Sequence, residues 1–515
     1  MTRARTWPAA GVSLLCDVWW AAFVLVFFGM GAAAVLRAVM GAAALPADVG
    51  LGVAVLFALC AVPAIRSRRT GSFDIFELGV SFAAIYFLYI GVRALDLLIN
   101  PGVLAAETPH PSVIVAGLAQ AVWYANLGAA AYLAGYRLPF PYGRAAARFF
   151  AGDTQVGARL VNAVAIVFYV LGWLARLPEL THGWFLTTAA SRFAGQVPPV
   201  VQTVSFFSIL AVLGYALSLV ALAVPGGSRP GPRVLAAILT CLEFIYAFII
   251  GSKFYLGLIV FILLLLAHYL RRRISPAVLL ATILVFMFVV TPIVTEYREV
   301  AGLESIPLRS FGRELPHVTR LVIARLRRFT PVQYVTISSQ AVLDRLSGVD
   351  GIAAVVRGVP QITGYARGAS LAWVVKVLEP TIIRPAKYDV LARVLTPVPR
   401  LFGYPDFSRG GIALTEVAEF YWNFGIAGIL IGMFLVGLLQ RAAVACLLQP
   451  VSPLRAFIYA ILWPWMMTAV EGWAFSIYPN VFRLTALAAL IAWGTLWLAR
   501  REPAFAPAPR GEAAG

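Results

Sequence analysis

Apolar residues in this chain come in long unbroken runs, and short polar stretches rich in arginine separate them. The two-residue alternation of a half-buried strand is absent, and the runs are too continuous for the apolar stripe of a soluble helix. A helix needs about 20 mostly apolar residues to cross hydrocarbon. By that length the pattern predicts twelve spans, at 14–38, 48–65, 75–98, 112–136, 156–176, 199–224, 233–251, 254–270, 276–296, 412–440, 453–474 and 481–499. The fold class is therefore an all-α polytopic membrane protein. The first run is too long for the apolar core of a secretory leader and reads as an uncleaved span. The tail 500–515 is rich in Pro, Ala and charge and reads as disordered.

The polar punctuation tests this count. Arg3 and Arg5, Arg66/Arg68/Arg69, Arg137/Arg144/Arg148, Arg229/Arg233, Arg271/Arg272/Arg273, Arg441/Arg455 and Arg500/Arg501 fall in alternate loops. Twelve spans put all of them on one side, the cytoplasm, with both termini there. The chain then divides into spans 1–9 (1–296), a long extracytoplasmic loop with amphipathic helices (297–411), spans 10–12 (412–499) and the tail. That loop carries sixteen Arg and Lys against eight Asp and Glu, a net +8. The positive-inside rule weakens for long loops, so the excess does not reverse the topology; it points to an anionic partner.

Composition adds one exclusion. The chain is 61% hydrophobic and 12% charged, with a mean hydropathy of +0.86. A soluble domain has about 25% charged residues, so this chain lacks the polar surface to cover a water-soluble globule. The net charge of +18 belongs to membrane lipid and loops rather than to nucleic acid, for which no basic, aromatic-laced soluble domain exists. Cys16, Cys60, Cys241 and Cys446 lie in or beside apolar runs, with neither a disulfide framework nor a zinc spacing.

Four local features carry candidate chemistry. Helical spacing puts Glu416, Glu419 and Asn423 on one face at the outer end of a span, where carboxylates are costly and usually face a polar cavity. Either this is an active-site wall with a general base, or it is a helix-end carboxylate pair solvated at the interface or bridged to a loop arginine. Gly428 and Gly432 below it suit close helix packing. Around 309–329, Leu315, Val318, Val322 and Leu326 share one helical face while Arg313, Arg320 and Arg327 repeat on the other, with His317 nearby. Such a helix suits the outer leaflet, binding bulk anionic lipid or a lipid-linked phosphate. Gly251-Ser252-Lys253 forms a tight outer turn. Arg176 borders another outer loop, and an arginine fork fits phosphate by two parallel hydrogen bonds. Snorkelling to the interface is the competing reading for both. Lastly, Gly364–Trp373, Glu379–Lys387 and Phe407–Gly411 alternate Gly or Pro with basic residues, as ordered turns over a site do.

The stretch Arg409-Gly410-Gly411, Glu416, Glu419, Tyr421-Trp422-Asn423-Phe424-Gly425, then Gly432-Met433-Phe434 and Gly437, resembles the C-terminal signature of bacterial O-antigen polymerases of the Wzy type. Gly251-Ser252-Lys253 is similar to a Gly-Ser-Arg turn of that family, with Lys in place of the bidentate Arg. Topology and loop position match as well, so the resemblance spans most of the chain. It implies a GT-C-like fold without a metal or other cofactor, and the outer loop 39–47 lacks the acidic pair of metal-dependent relatives. It implies a glycosyltransferase at the periplasmic face of the bacterial inner membrane that joins undecaprenyl-pyrophosphate-linked oligosaccharide units into surface polysaccharide, with a chain-length regulator as an expected protein partner. The roles it implies are pyrophosphate binding by Arg409, Lys253, Arg176, Arg328 and Arg367, substrate contacts from Asn423 and Tyr421, and proton transfer by Glu419, Glu416 or His317. An O-antigen or O-glycan ligase using the same donor is the nearest alternative. A lipid-linked sugar flippase is the alternative of another class, opposed by the missing internal repeat and the off-centre loop.

Overall fold

The computed structural model describes residues 47–71, 73–104, 108–141, 143, 150, 156–182, 198–302, 308–379, 383–384, 387–404 and 414–501. The expected first span, the Arg409-Gly410-Gly411 turn and the tail lie outside the described residues.

Among the described residues ten helices are long and apolar enough to cross a membrane. They are α1 (Ala47–Arg69), α2 (Leu78–Ile99), α3 (Pro111–Arg137), α4 (Ala158–His182), α5 (Thr203–Ala221), α6 (Pro230–Ile249), α7 (Lys253–Leu270), α8 (Pro276–Val300), and, after the long connection, α12 (Glu416–Leu447) and α14 (Ala474–Arg501). Each coincides with an expected run. The expected span 453–474 is shorter as a helix: α13 covers Pro453–Thr468, and turns over 469–472 end it. Within the connection lie α9 (Leu308–Leu326), α10 (Pro331–Leu343) and α11 (Gly348–Gly358). The chain is a polytopic helical membrane protein.

Its outer surface is suited to an apolar solvent. Ile238, Leu242 and Ile245 lie on one face of α6 and are 50%, 37% and 54% exposed. Spacings of three and four align them on the helix. Water would penalise that stripe by roughly 25 cal/mol for each Å² left uncovered; hydrocarbon does not. The interior is sealed by small residues where backbones must meet. A side chain on Gly135 of α3 would strike the Phe434 carbonyl oxygen of α12 at 2.1 Å, and one on Gly437 would strike that of Tyr132 at 2.1 Å. Tyr132 donates to Gln440 Oε1 at 2.7 Å across the same crossing.

Two sequence expectations change in the fold. The nearest neighbours of Gly428 and Gly432 belong to the kinked start of their own helix rather than to another. A side chain on Gly428 would meet the Phe420 carbonyl oxygen, and the Phe420 ring lies over Gly432. Second, the apolar face of α9 is covered by protein rather than left for the leaflet. Val318 and Val322 are buried with Tyr297 and Val300 at the end of α8, and Arg325 reaches Glu299 at 3.1 Å. Arg320 and Arg327 stay exposed on the other side, as the spacing predicts. The connection is also not wholly superficial: α11 is buried along α3, with the Ala353 carbonyl 2.5 Å from where a Gly117 side chain would begin. Asp350 of α11 takes Arg93 of α2 in a bidentate grip, with Nη2–Oδ2 at 2.9 Å.

Candidate functional site

The first turns of α12 are set apart from the rest by a break. Phe424 (φ −139°, ψ 17°) and Gly425 (φ 62°, ψ −147°) leave helical geometry, and the left-handed φ of Gly425 is one that a side chain resists. Glu416 to Asn423 therefore form a short buried segment that starts on a Thr415 cap, whose Oγ1 accepts from Ala418 N–H at 3.2 Å.

The segment 364–370 is fastened to it. Ala366 N–H donates to the Trp422 carbonyl at 2.9 Å and Arg367 N–H to that of Asn423 at 3.2 Å. Gly368 N–H donates to Asn423 Oδ1 at 2.8 Å, and Asn423 Nδ2 donates to Ser370 Oγ at 2.8 Å. Ser370 Oγ donates in turn to Glu419 Oε1 at 2.7 Å, and Ala474 N–H donates to Glu419 Oε2 at 2.6 Å. Glu419 is fully enclosed, with both oxygens occupied. Its geometry is that of a pin joining the loop, α12 and the start of α14. Glu416, also buried, accepts from Tyr478 OH through Oε1, while its Oε2 has no hydrogen-bond partner among the described residues.

On the outside of this joint is a pocket of about 500 Å³ lined by Tyr365, Arg367, Tyr421, Asn423, Phe424 and Gly425. The Tyr365 and Tyr421 ring centroids are 6.2 Å apart, and Tyr124 of α3 adds a third ring 5.3 Å from Tyr421. Arg367, at a positive φ of 49°, is exposed beside them. The sequence candidates Arg367, Tyr421 and Asn423 thus converge, joined by Tyr365. Aromatic faces next to a guanidinium are a surface for a sugar ring and its attached phosphate.

A second group sits at the same end of the bundle, where α6 turns into α7. Gly251 takes φ 59°, Ser252 Oγ caps α7 by accepting Tyr255 N–H at 3.2 Å, and Arg298 of α8 packs on the turn. Lys253 lies within electrostatic reach of Arg298 and Arg345. Arg345 is 3.9 Å from Glu471, which accepts from Tyr89 OH at 2.7 Å. Sequence reading found Lys253 but missed Arg298, Arg345 and Glu471, which share no local spacing; only the folded chain brings them together.

Other candidates stand elsewhere. Arg176 lies inside α4, fully buried, its fork closed on Glu243 at 2.7 and 2.9 Å and its plane 3.9 Å from the Tyr246 ring. That guanidinium is committed within the protein and faces no vestibule. His317 is exposed on α9, and Arg328 is exposed just after it. Arg409 lies outside the described residues.

Comparison with family models, with curated proteins and with solved structures finds no match.

Proposed function

We propose that the chain is a membrane glycosyltransferase of the Wzy type, a metal-independent GT-C-like enzyme of a bacterial inner membrane, acting on an oligosaccharide carried by a polyprenyl diphosphate. The observation that carries this reading is the Tyr365–Arg367–Tyr421 pocket built on the break in α12, with Lys253, Arg298 and Arg345 gathered at the same end. In this reading the tyrosine faces hold sugar and the cations hold diphosphate on the extracytoplasmic side. An acceptor hydroxyl oxygen attacks the anomeric carbon. The bond from that carbon to the diphosphate oxygen breaks, and its electron pair leaves with the diphosphate. Fixed cations stabilise the charge that gathers there. The hydroxyl proton passes to a carboxylate, and Glu471 is the partly exposed one beside the cations.

The test is complementation of a deletion strain, with analysis of the lipid-linked glycans. Accumulated single units on deletion support polymerisation; accumulated full-length polymer on lipid supports the ligase alternative. Arg367→Ala should lower product by about 10²-fold, the scale of losing one fixed transition-state donor, and Tyr365→Ala, which removes an exposed ring of the same pocket, should also lower it, with protein abundance unchanged in both. Normal glycan in both variants refutes the assignment of this pocket.

A further inference from the structure

A second cavity, larger than the Arg367 pocket, plays no part in that reading. It encloses about 1360 Å³ at the opposite end of the bundle, where α1, α3, α7 and α12 finish. Six arginines line it: Arg66, Arg137, Arg271, Arg272, Arg273 and Arg441. They come from the ends of four different helices. Among the described residues two carboxylates share the wall, Asp74 and Glu77, so the arginines outnumber them by four. Both acids are already engaged. Asp74 accepts Phe76 N–H at 2.9 Å and stands 3.1 Å from His268 Nε2, and Glu77 accepts from Tyr136 OH.

The positive-inside tendency explains why arginines occupy this side, but not why six of them surround one hollow. Guanidiniums on separate loops would reduce their repulsion by pointing outward around the rim. A cleft with walls of one sign concentrates the opposite charge, and arginine is the side chain suited to phosphate oxygens. The hollow also has apolar walls, with Val62 and Pro63 from α1, Leu133 from α3 and Val444 from α12. A ligand that joins a strongly charged head to an apolar body fits both parts.

We infer that this basic vestibule binds a multiply charged phosphate-bearing anion, at a site separate from the Arg367 pocket. The inference does not rest on the glycosyltransferase reading. The charge comes either from a lipid headgroup with a terminal phosphate or from a soluble diphosphate.

The test uses the purified full chain carrying Arg367→Ala, Lys253→Gln, Arg298→Gln and Arg345→Gln, which removes the cations assigned to the other candidate phosphate site. One arm measures binding of radiolabelled inorganic pyrophosphate in phosphatidylcholine nanodiscs. The other measures retention of phosphatidic acid by native mass spectrometry. Arg66 and Arg273 are exposed, so Arg66→Gln/Arg273→Gln leaves the packing alone; Arg137→Gln, also exposed, is a second and milder variant. Arg229→Gln/Arg233→Gln removes two exposed arginines that do not line the hollow. Saturable binding in either arm is expected, at least tenfold weaker in the first double variant, weakened in Arg137→Gln and unchanged in the second double variant. Pyrophosphate binding assigns a soluble ligand, and phosphatidic acid retention alone assigns a lipid. Absence of binding in both arms, or equal loss in the Arg229/Arg233 variant, overturns the inference.

Discussion

Arg176 and Arg367 share a side chain and have opposite settings. Arg176 is sealed between Trp173 and Tyr246 and paired with Glu243; Arg367 stands in the open beside two tyrosines. Removing one partner of a buried pair strands a charge, at a cost of about 3–5 kcal/mol. Arg176→Ala should therefore sharply lower the thermal midpoint of the protein in detergent, and Arg176→Met/Glu243→Leu should recover most of it. Arg367→Ala should leave the midpoint nearly unchanged and act on product alone. An equal midpoint for Arg176→Ala and wild type would contradict the buried pair. Sequence could not separate these two arginines, because Glu243 is 67 residues from Arg176 and no local spacing announces the pairing. What it could read was local: Glu416, Glu419 and Asn423 on one face, all three buried as a group. The structure buries Glu419 and ties it to the loop through Ser370, not through an arginine.

At the scale of elements, hydrophobic run length sufficed for ten of the twelve expected spans, because bilayer thickness imposes it on each one separately. The breaks inside them were not legible. Gly425 reads as one more small residue in an apolar run, yet its positive φ creates the pocket; Gly428 and Gly432 then lie nearest the kinked segment rather than a neighbouring helix. The close crossing belongs to Gly135 and Gly437. Gly437→Val should drive α3 and α12 apart and cost about 1–3 kcal/mol, the range for overfilling a packed interior. Gly494→Val in α14, where a side chain would meet nothing within 4 Å, should cost far less. The comparison is made on thermal midpoints of the two variants in the same detergent; equal loss in both would mean that the crossing is not tight.

For the molecule as a whole, the described arginines Arg66, Arg137, Arg271, Arg272, Arg273 and Arg441 gather at one end, and α12 runs from there to the aromatic pocket at the other. The basic end also has a titration signature. Glu77 precedes α2, and burial, then the nearby Asp74, push its carboxyl up to about 7 against the attraction of Arg441. A carboxyl raised in the folded state binds more protons there than in the unfolded chain, so stability falls as pH rises from the unfolded value of about 4.5 through about 7. Thermal midpoints taken across pH 5 to 8 should therefore decline less in Glu77→Gln than in wild type. Parallel profiles would remove Glu77 as the source.

The aromatic pocket has a geometric corollary. Below it, Ile426, Leu430, Ile431 and Leu435 are all exposed along the side of α12, so the hollow continues onto a greasy flank rather than a water-filled shaft. On the proposed reading, a guest with a long hydrocarbon tail would slide in sideways without leaving the sheet of lipid. Its arrival is then a two-dimensional search. Occupancy follows the number of carriers per unit area of bilayer, and dilution of the surrounding aqueous phase leaves it untouched.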